Sequence, residues 1–234
     1  MIESQGDGDQ TTGAIDQALL RLPMIVHELR GPISAIQTAV AVLELRLAAC
    51  EAAVPQIPGV LAQVRRNVGL LERMAQDLLA VGRSQFGPEQ VERQPADLAE
   101  LVAQTIAGAP WADRVRLTVP PSPVPLACDP DRLGQVVWNL VRNAAEHGRG
   151  TAVDVAVSVA PTGCTLVVEN DGVLAPVVRA HLFEPFVRGQ KTGRGLGLGL
   201  YLARRFVEAH GGTVAIDGAD DRVRVAVFLP TPPG

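Results

Sequence analysis

The chain is poor in aromatic residues. Phe, Trp and Tyr make up 3% of its 234 residues, so any core must be aliphatic. Cysteine is scarce too. Cys50, Cys128 and Cys164 are widely spaced and odd in number, which excludes a disulfide framework and any metal-type spacing and points to buried, reduced thiols in a cytoplasmic protein. The formal net charge is −4 and there is no Lys/Arg block, so nothing suggests a nucleic-acid partner. No charged-then-apolar leader opens the sequence, and no stretch reaches the ~18 uninterrupted apolar residues of a membrane span. Residues 153–168 come nearest, and Asp154 and Pro161-Thr162-Gly163 interrupt them. These absences lead to the expectation of a soluble chain with no membrane segment.

What is present is a 47% hydrophobic chain, long enough for one large domain or two small ones. Residues 1–12 are polar and Gly-rich, read as a disordered lead-in. An apolar series then runs Leu29, Ile33, Ile36, Val40, Leu43, Leu47, stepping by four and three as a heptad seam does. Pro55-Gln56-Ile57-Pro58-Gly59 reads as a turn. A second seam follows at Leu61, Val64, Val68, Leu71, Ala75 and Leu78. Two such helices make a hairpin over residues 13–86. One hairpin has too little to bury its stripe against, so two copies are expected to pair as a homodimeric four-helix bundle.

Gly87-Pro88 and Pro95 mark a linker over 87–96. Beyond it, over 97–234, strands alternate with helices. Asp97 is placed to cap a helix running to about Ala107. Strands are expected near 114–119, 151–160, 165–169, 213–217 and 222–229, and helices at 130–147 and 198–210. The fold class is therefore α+β: a helical hairpin followed by a mixed sheet with helices on one side.

Three polar islands stand out. In the first, His27 lies two residues before Leu29, about 160° around a helix from the seam, which directs the imidazole to water. Pro23 and Pro32 loosen the backbone on either side. Glu28 next to it can hold one ring N–H and leave the other nitrogen nucleophilic, although an ordinary surface histidine would look the same. In the second, Asp129-Pro130-Asp131 starts a helix whose apolar face is Leu133, Val137, Leu140 and Ala144. Asn139 and Asn143, with Gln135 a turn earlier, share another face. Asparagine is a poor helix-interior residue, and two together suit a hydrated magnesium ion with phosphates as well as they suit a solvated face. In the third, every second residue from Gly193 to Gly199 is glycine, interleaved with Leu196 and Leu198. Such a backbone can approach a ligand, and the helix that follows offers free N–H groups to an anion. Arg188, Lys191 and Arg194 precede it.

These islands together resemble the sensor histidine kinases of two-component signalling, from about residue 20 to the end. His27-Glu28-Leu29-Arg30-Gly31-Pro32 looks like the phosphoacceptor box, and Asn139 through Asn143-Ala144 like the N box. Glu169-Asn170-Asp171-Gly172 sits where the first glycine box belongs. Phe183-Glu184-Pro185-Phe186 with Arg188 looks like the F box, and Gly193-Arg194-Gly195-Leu196-Gly197-Leu198 like the second glycine box. The resemblance implies a Bergerat (GHKL) ATP-binding domain, and ATP and Mg2+ as cofactors. It implies autophosphorylation on His27 and transfer to an aspartate of a response regulator receiver domain. Glu28 would orient or deprotonate the imidazole. Asn143 would hold the metal and Asn139 would lie near the phosphates. Asn170 and Gly172 would meet adenine, and His147 would stack on it. Arg188, Gly193, Gly195, Leu196, Gly197 and Leu198 would shape the phosphate end.

Four departures stand against the resemblance. Asn170 replaces an Asp that usually accepts from the adenine amino group, and Leu174 replaces a glycine, so ATP affinity is expected to be weaker than usual. Glu146 stands where the family often has Lys; Arg142 is a candidate to compensate, although it is read as pointing to a different side of the helix. Gly31 stands where members with phosphatase activity carry Thr or Asn, so weak phosphatase activity is expected. A second function is therefore carried alongside the first: a degenerate kinase serving as a dimeric docking or phosphotransfer module. Residues 1–12 are too short for a sensor, which suggests either the cytosolic part of a longer receptor or input through another protein.

Overall fold

In the computed structural model the described residues are 25, 29–43, 57–84, 91–149, 152–187, 196–219 and 221–231. The chain divides into two compact units, with the break between Phe86 and Gly87.

The first unit is helical, with α1 over 29–43 and α2 over Ile57–Ser84. Pro58 and Gly59, read as part of a turn, lie in the first turn of α2, where a proline costs no hydrogen bond. Ile33, Val40, Leu61 and Val68 of the two seams are each at least 40% exposed. The heptad pattern thus leaves apolar positions uncovered within one chain.

The second unit comprises β1 (Gln94–Asp97), α3 (Leu98–Ala107), a 3-10 turn (Ala112–Arg114), β2 (Val115–Thr118), β3 (Pro125–Cys128), α4 (Pro130–His147), β4 (Val153–Ala160), β5 (Gly163–Asp171), α5 (Pro176–His181), α6 (Gly199–Ala209), β6 (Thr213–Ala219) and β7 (Arg222–Pro230). Five strands form one sheet in the order β2-β4-β5-β7-β6. Only β2 and β4 run parallel, and the other neighbours are antiparallel. β1 and β3 make a separate antiparallel pair. Neither strand carries a period-2 apolar pattern long enough to read, and β1 begins inside the stretch read as linker.

The caps are local chemistry. Asp97 accepts from the Ala99 N–H at 2.9 Å and from Val124 N–H at 3.0 Å, fixing the start of α3. Asp129 accepts from Arg132 N–H at 3.1 Å ahead of Pro130. α4 and α6 pack together on the five-stranded sheet, α4 against β4 and β5, α6 against β6 and β7, and α3 packs on α4 and β1. The core fills with alternate strand residues: Val153, Val155 and Val157 of β4, Leu166 and Val168 of β5, Val225, Val227 and Leu229 of β7. Phe206, Leu202, Leu133, Val137 and Leu140 close on them from the helices. On the opposite sheet face, Asp154 binds Arg116 and Arg222 at 2.7 Å each, and Glu169 binds Arg224 at 3.2 Å. These exposed pairs give register more than stability.

Candidate nucleotide-binding site

α4 carries the site. At 100° per residue, Asn139, Arg142, Asn143 and Glu146 fall in one stripe about 100° wide. The same helix buries Leu133, Val136, Val137, Leu140 and Val141 on its other side, so the hydrophobic pattern aims the stripe. Arg142, expected on a different side, belongs to it, since it follows Asn139 by three residues.

Asn139 is only 4% exposed, yet its Nδ2 has no hydrogen-bond partner. Such a buried orphan is costly. Its amide faces the first residue of α6: a Cβ on Gly199 would stand 3.2 Å from Asn139 Oδ1 and 3.1 Å from Arg142 Nη2. Glycine at 199 therefore lets the start of α6 close on the polar stripe. Leu198, at the N-cap of α6, gives no side-chain cap, and no acidic residue lies in the first turn. Asn143 is half-buried beside Asn139, while Glu146 and His147 are exposed.

At the far end of α4, the side chain of Asn170 packs between two glycines. A Cβ on Gly148 or on Gly172 would approach Asn170 Nδ2 to 3.2 Å. That Nδ2 donates to the Asp171 carbonyl at 3.0 Å, and the same carbonyl accepts from Arg149 N–H at 2.7 Å. Leu174, the departure from the glycine pattern, seats on β6, its Cβ 3.1 Å from where a Gly218 Cβ would lie.

Phe186 has φ 65° and Gly197 φ 70°. The Phe186 N–H donates to the Gly197 carbonyl at 2.9 Å, tying the F-box turn to the second glycine box. Left-handed backbone at a Phe is strained, and this bond holds it. His181 Nδ1 lies 2.7 Å from Glu184 Oε1 within the same turn. Leu196 and Leu198 are buried. His27, Glu28, Arg188, Gly193 and Gly195 lie outside the described residues.

The structure thus brings Asn139 and Arg142 against Gly199, with Asn143 one turn along the same stripe, and Asn170 against Gly148 and Gly172 at the C-terminal end of α4. The spacing rule that found the asparagines also marks Arg142. Gly148 and the Asp171 carbonyl carried no such mark. No group of three or more His, Cys, Asp or Glu able to hold a metal occurs among the described residues. The amide oxygens of Asn139 and Asn143 are neutral donors of the kind that suits a hydrated magnesium ion shared with phosphates.

Residues 128–233 match the family of histidine kinase-, DNA gyrase B- and HSP90-like ATPases. The chain is 32% identical over 217 residues to the probable sensor histidine kinase TcrY of Mycobacterium tuberculosis, covering 87% of this chain and 44% of TcrY. It superposes on the Acinetobacter baumannii histidine kinase AdeS with a TM-score of 0.60 at 21% identity, over 88% of this chain and 98% of that one. Full-length ShkA in complex with AMPPNP gives a TM-score of 0.62 at 25% identity, over 92% of this chain and 47% of that one. The α/β unit is therefore an ATPase domain of the GHKL class. The chain that carries it is a relative of the sensor histidine kinases, and it spans less than half the length of TcrY. No described helix is long and apolar enough to cross a membrane.

Proposed function

We propose that this chain is the kinase core of a two-component sensor: it binds ATP in the α4–α6 site, autophosphorylates on His27 and passes the phosphoryl group to an aspartate of a response regulator. The observation that carries the reading is the buried, unpaired amide of Asn139 held against Gly199 at the bare start of α6. The Asn139 Nδ2 donor lacks an acceptor, and a triphosphate lying at the helix start would supply one. Asn170 serves the base. With Nδ2 committed to Asp171, its Oδ1 is left to accept from the adenine amino group, and exposed His147 borders the same end. ShkA was solved with an ATP analogue, which supports nucleotide as the ligand class.

Phosphoryl transfer asks mainly for positioning and charge stabilisation. His27 supplies the attacking nitrogen: its N–P bond forms as the bond from the γ-phosphorus to the ADP oxygen breaks, with Glu28 holding the other ring N–H. Asn143, with Asn139, would hold magnesium, which when bound screens the phosphate charge. The resemblance assigns Gly193, Gly195, Gly197 and Arg188 to the phosphate end. Residues 13–86 form the dimerisation and phosphoacceptor hairpin, 87–96 join it to the catalytic domain over 97–234, and the exposed seam residues Ile33, Val40, Leu61 and Val68 are covered by a second copy. The working compartment is the cytoplasm, where response regulators and ATP meet.

The test is incubation with ATP labelled at the γ position. Acid-labile label on the wild type and none on His27→Gln is expected. Label that persists on His27→Gln, or none on the wild type under magnesium and ATP, overturns the reading in favour of a docking module.

A further inference from the structure

Glu146 puts an exposed carboxylate on the polar stripe of α4, so the polyphosphate end of the site must find positive charge elsewhere. On the described part of the α4 stripe one guanidinium lies there. Arg142 follows Asn139 by three residues, and its Nη2 and the Asn139 Oδ1 converge on the Cβ direction of Gly199, at 3.1 and 3.2 Å. The Nε of Arg142 is buried and, like Asn139 Nδ2, has no hydrogen-bond partner. Two polar side chains of one helix, each with an unpartnered buried donor, thus meet the start of another, whose N-cap makes no side-chain bond and whose first turn has no acid.

The atoms left without a partner, Arg142 Nε and Asn139 Nδ2, are both donors. A neutral ligand would not match a guanidinium. An anion with several oxygens meets every requirement, because the planar fork of arginine and a helix start both select phosphate geometry. A buried donor left unmade costs free energy, so the arrangement is better explained as a site awaiting acceptors than as a packing contact.

We propose that Arg142 is the specificity-determining cation of the polyphosphate end, offsetting the carboxylate of Glu146, and that it distinguishes ATP from adenosine. The assignment rests on the ATP-binding reading above and adds to it the residue that recognises the phosphates.

The experiment is calorimetric titration of the full chain with ATP and, by competition, with adenosine, for the wild type, Arg142→Gln and Arg142→Lys. Arg142→Gln is expected to weaken ATP about tenfold or more while adenosine moves by less than about twofold. Arg142→Lys, which keeps the charge and loses the fork, is expected to fall between. Thermal unfolding without nucleotide should be no lower in Arg142→Gln than in the wild type, because the replaced Nε makes no bond. ATP affinity in Arg142→Gln within about threefold of the wild type, or equal weakening of ATP and adenosine, overturns the proposal. So does a lowered unfolding temperature without nucleotide, which marks a packing residue. If Arg142→Gln does not fold, Arg142→Lys decides: affinity equal to the wild type overturns the proposal. A wild type that binds neither ligand overturns the ATP reading itself, whereas intact wild-type binding that is insensitive to residue 142 overturns only the assignment of Arg142.

Discussion

The side-chain amide of Asn170 donates to the carbonyl of Asp171 at 3.0 Å, and this fixes which end of the amide remains free. Its oxygen is left as acceptor, which suits the amino group of adenine and opposes the carbonyl of guanine. ATP is therefore expected to bind more tightly than GTP. Asn170→Ala should weaken ATP by about 5- to 150-fold, the range of one buried hydrogen bond lost with its partner stranded. Asn170→Asp, although closer to the family pattern, sets a carboxylate oxygen against the Asp171 carbonyl, so it should lower stability without tightening ATP. Calorimetry with both nucleotides and a thermal melt check this. GTP binding equal to ATP, or low-micromolar ATP affinity in the wild type, runs against it.

Two glycines at opposite ends of α6 separate function from fold. At Gly199 a Cβ meets the movable ends of Arg142 and Asn139. Gly199→Ala should keep unfolding free energy within about 1 kcal/mol of the wild type, because alanine favours a helix, yet weaken ATP. At Gly212 a Cβ would collide with the backbone carbonyl of Phe228 and come within 2.9 Å of Val207 Cγ1. Backbone cannot step aside, so Gly212→Ala should cost several kcal/mol, about 2–4 as an order of magnitude. Urea unfolding of the two variants gives the comparison. Equal losses at both positions would contradict the assignment of Gly199 to the site.

Much of the architecture was legible because it rests on strong local chemistry. The Asp129-Pro130 start and the 3.6-residue period set α4 at 130–147, as found, and valine alternation set β4. β1, β3 and α5 were not legible. They are short, carry proline, and are held by long-range pairing such as Gln94 with Cys128, which no local pattern encodes. The site was half legible. Spacing put Asn139 beside Asn143, but the role of Gly199 depends on how α6 closes on α4. That contact between distant segments also shows what Arg142 faces.

Histidine 210 ties the end of α6 to the start of α4. Its Nδ1 lies 2.7 Å from the Phe206 carbonyl, to which it donates, and its Nε2 accepts from Asp129 N–H at 2.9 Å. Both nitrogens are used only by the neutral ring. Burial pushes its pKa below 6.5, and Arg93 adds to this, against opposing effects of the Phe206 carbonyl and Asp129. The unfolded chain thus binds the proton more readily than the folded one. Its contribution to stability is complete above pH 6.5 and is lost as pH falls through the folded pKa, with a slope of at most about 1.4 kcal/mol per pH unit. Unfolding free energy measured from pH 7.5 to 5 should fall, and His210→Gln should flatten that fall. A slope unchanged in His210→Gln would assign it to other groups. The carboxyls of Asp97 and Asp154, both held below 3.8, act only at lower pH.

The two described thiols should be silent. Burial raises the pKa of Cys128, and it pushes Cys164 up to about 11 with Cys128 adding to it. Thiolate is the reactive form, so a thiol reagent at pH 8 should modify neither residue in the folded protein. Both should react on unfolding in urea. Rapid native labelling of a Cys50→Ser variant would refute this.

The residue four positions after His27 bears on the reverse reaction. Gly31 lies in α1, and nothing stands within 4 Å of where its Cβ would be. A side chain therefore fits, and threonine there should cost no stability, because glycine is the poorer helix former by a few tenths of a kcal/mol, about 0.3 or more. What glycine lacks is a hydroxyl to place a water for attack on a phosphoaspartate. The wild type is expected to dephosphorylate its regulator slowly, and Gly31→Thr to do so faster with autophosphorylation retained. The measurement is loss of label from the purified phosphorylated regulator with each protein. Rapid loss with the wild type, unchanged by Gly31→Thr, would show that the water is placed by some other group and that residue 31 has no part in it.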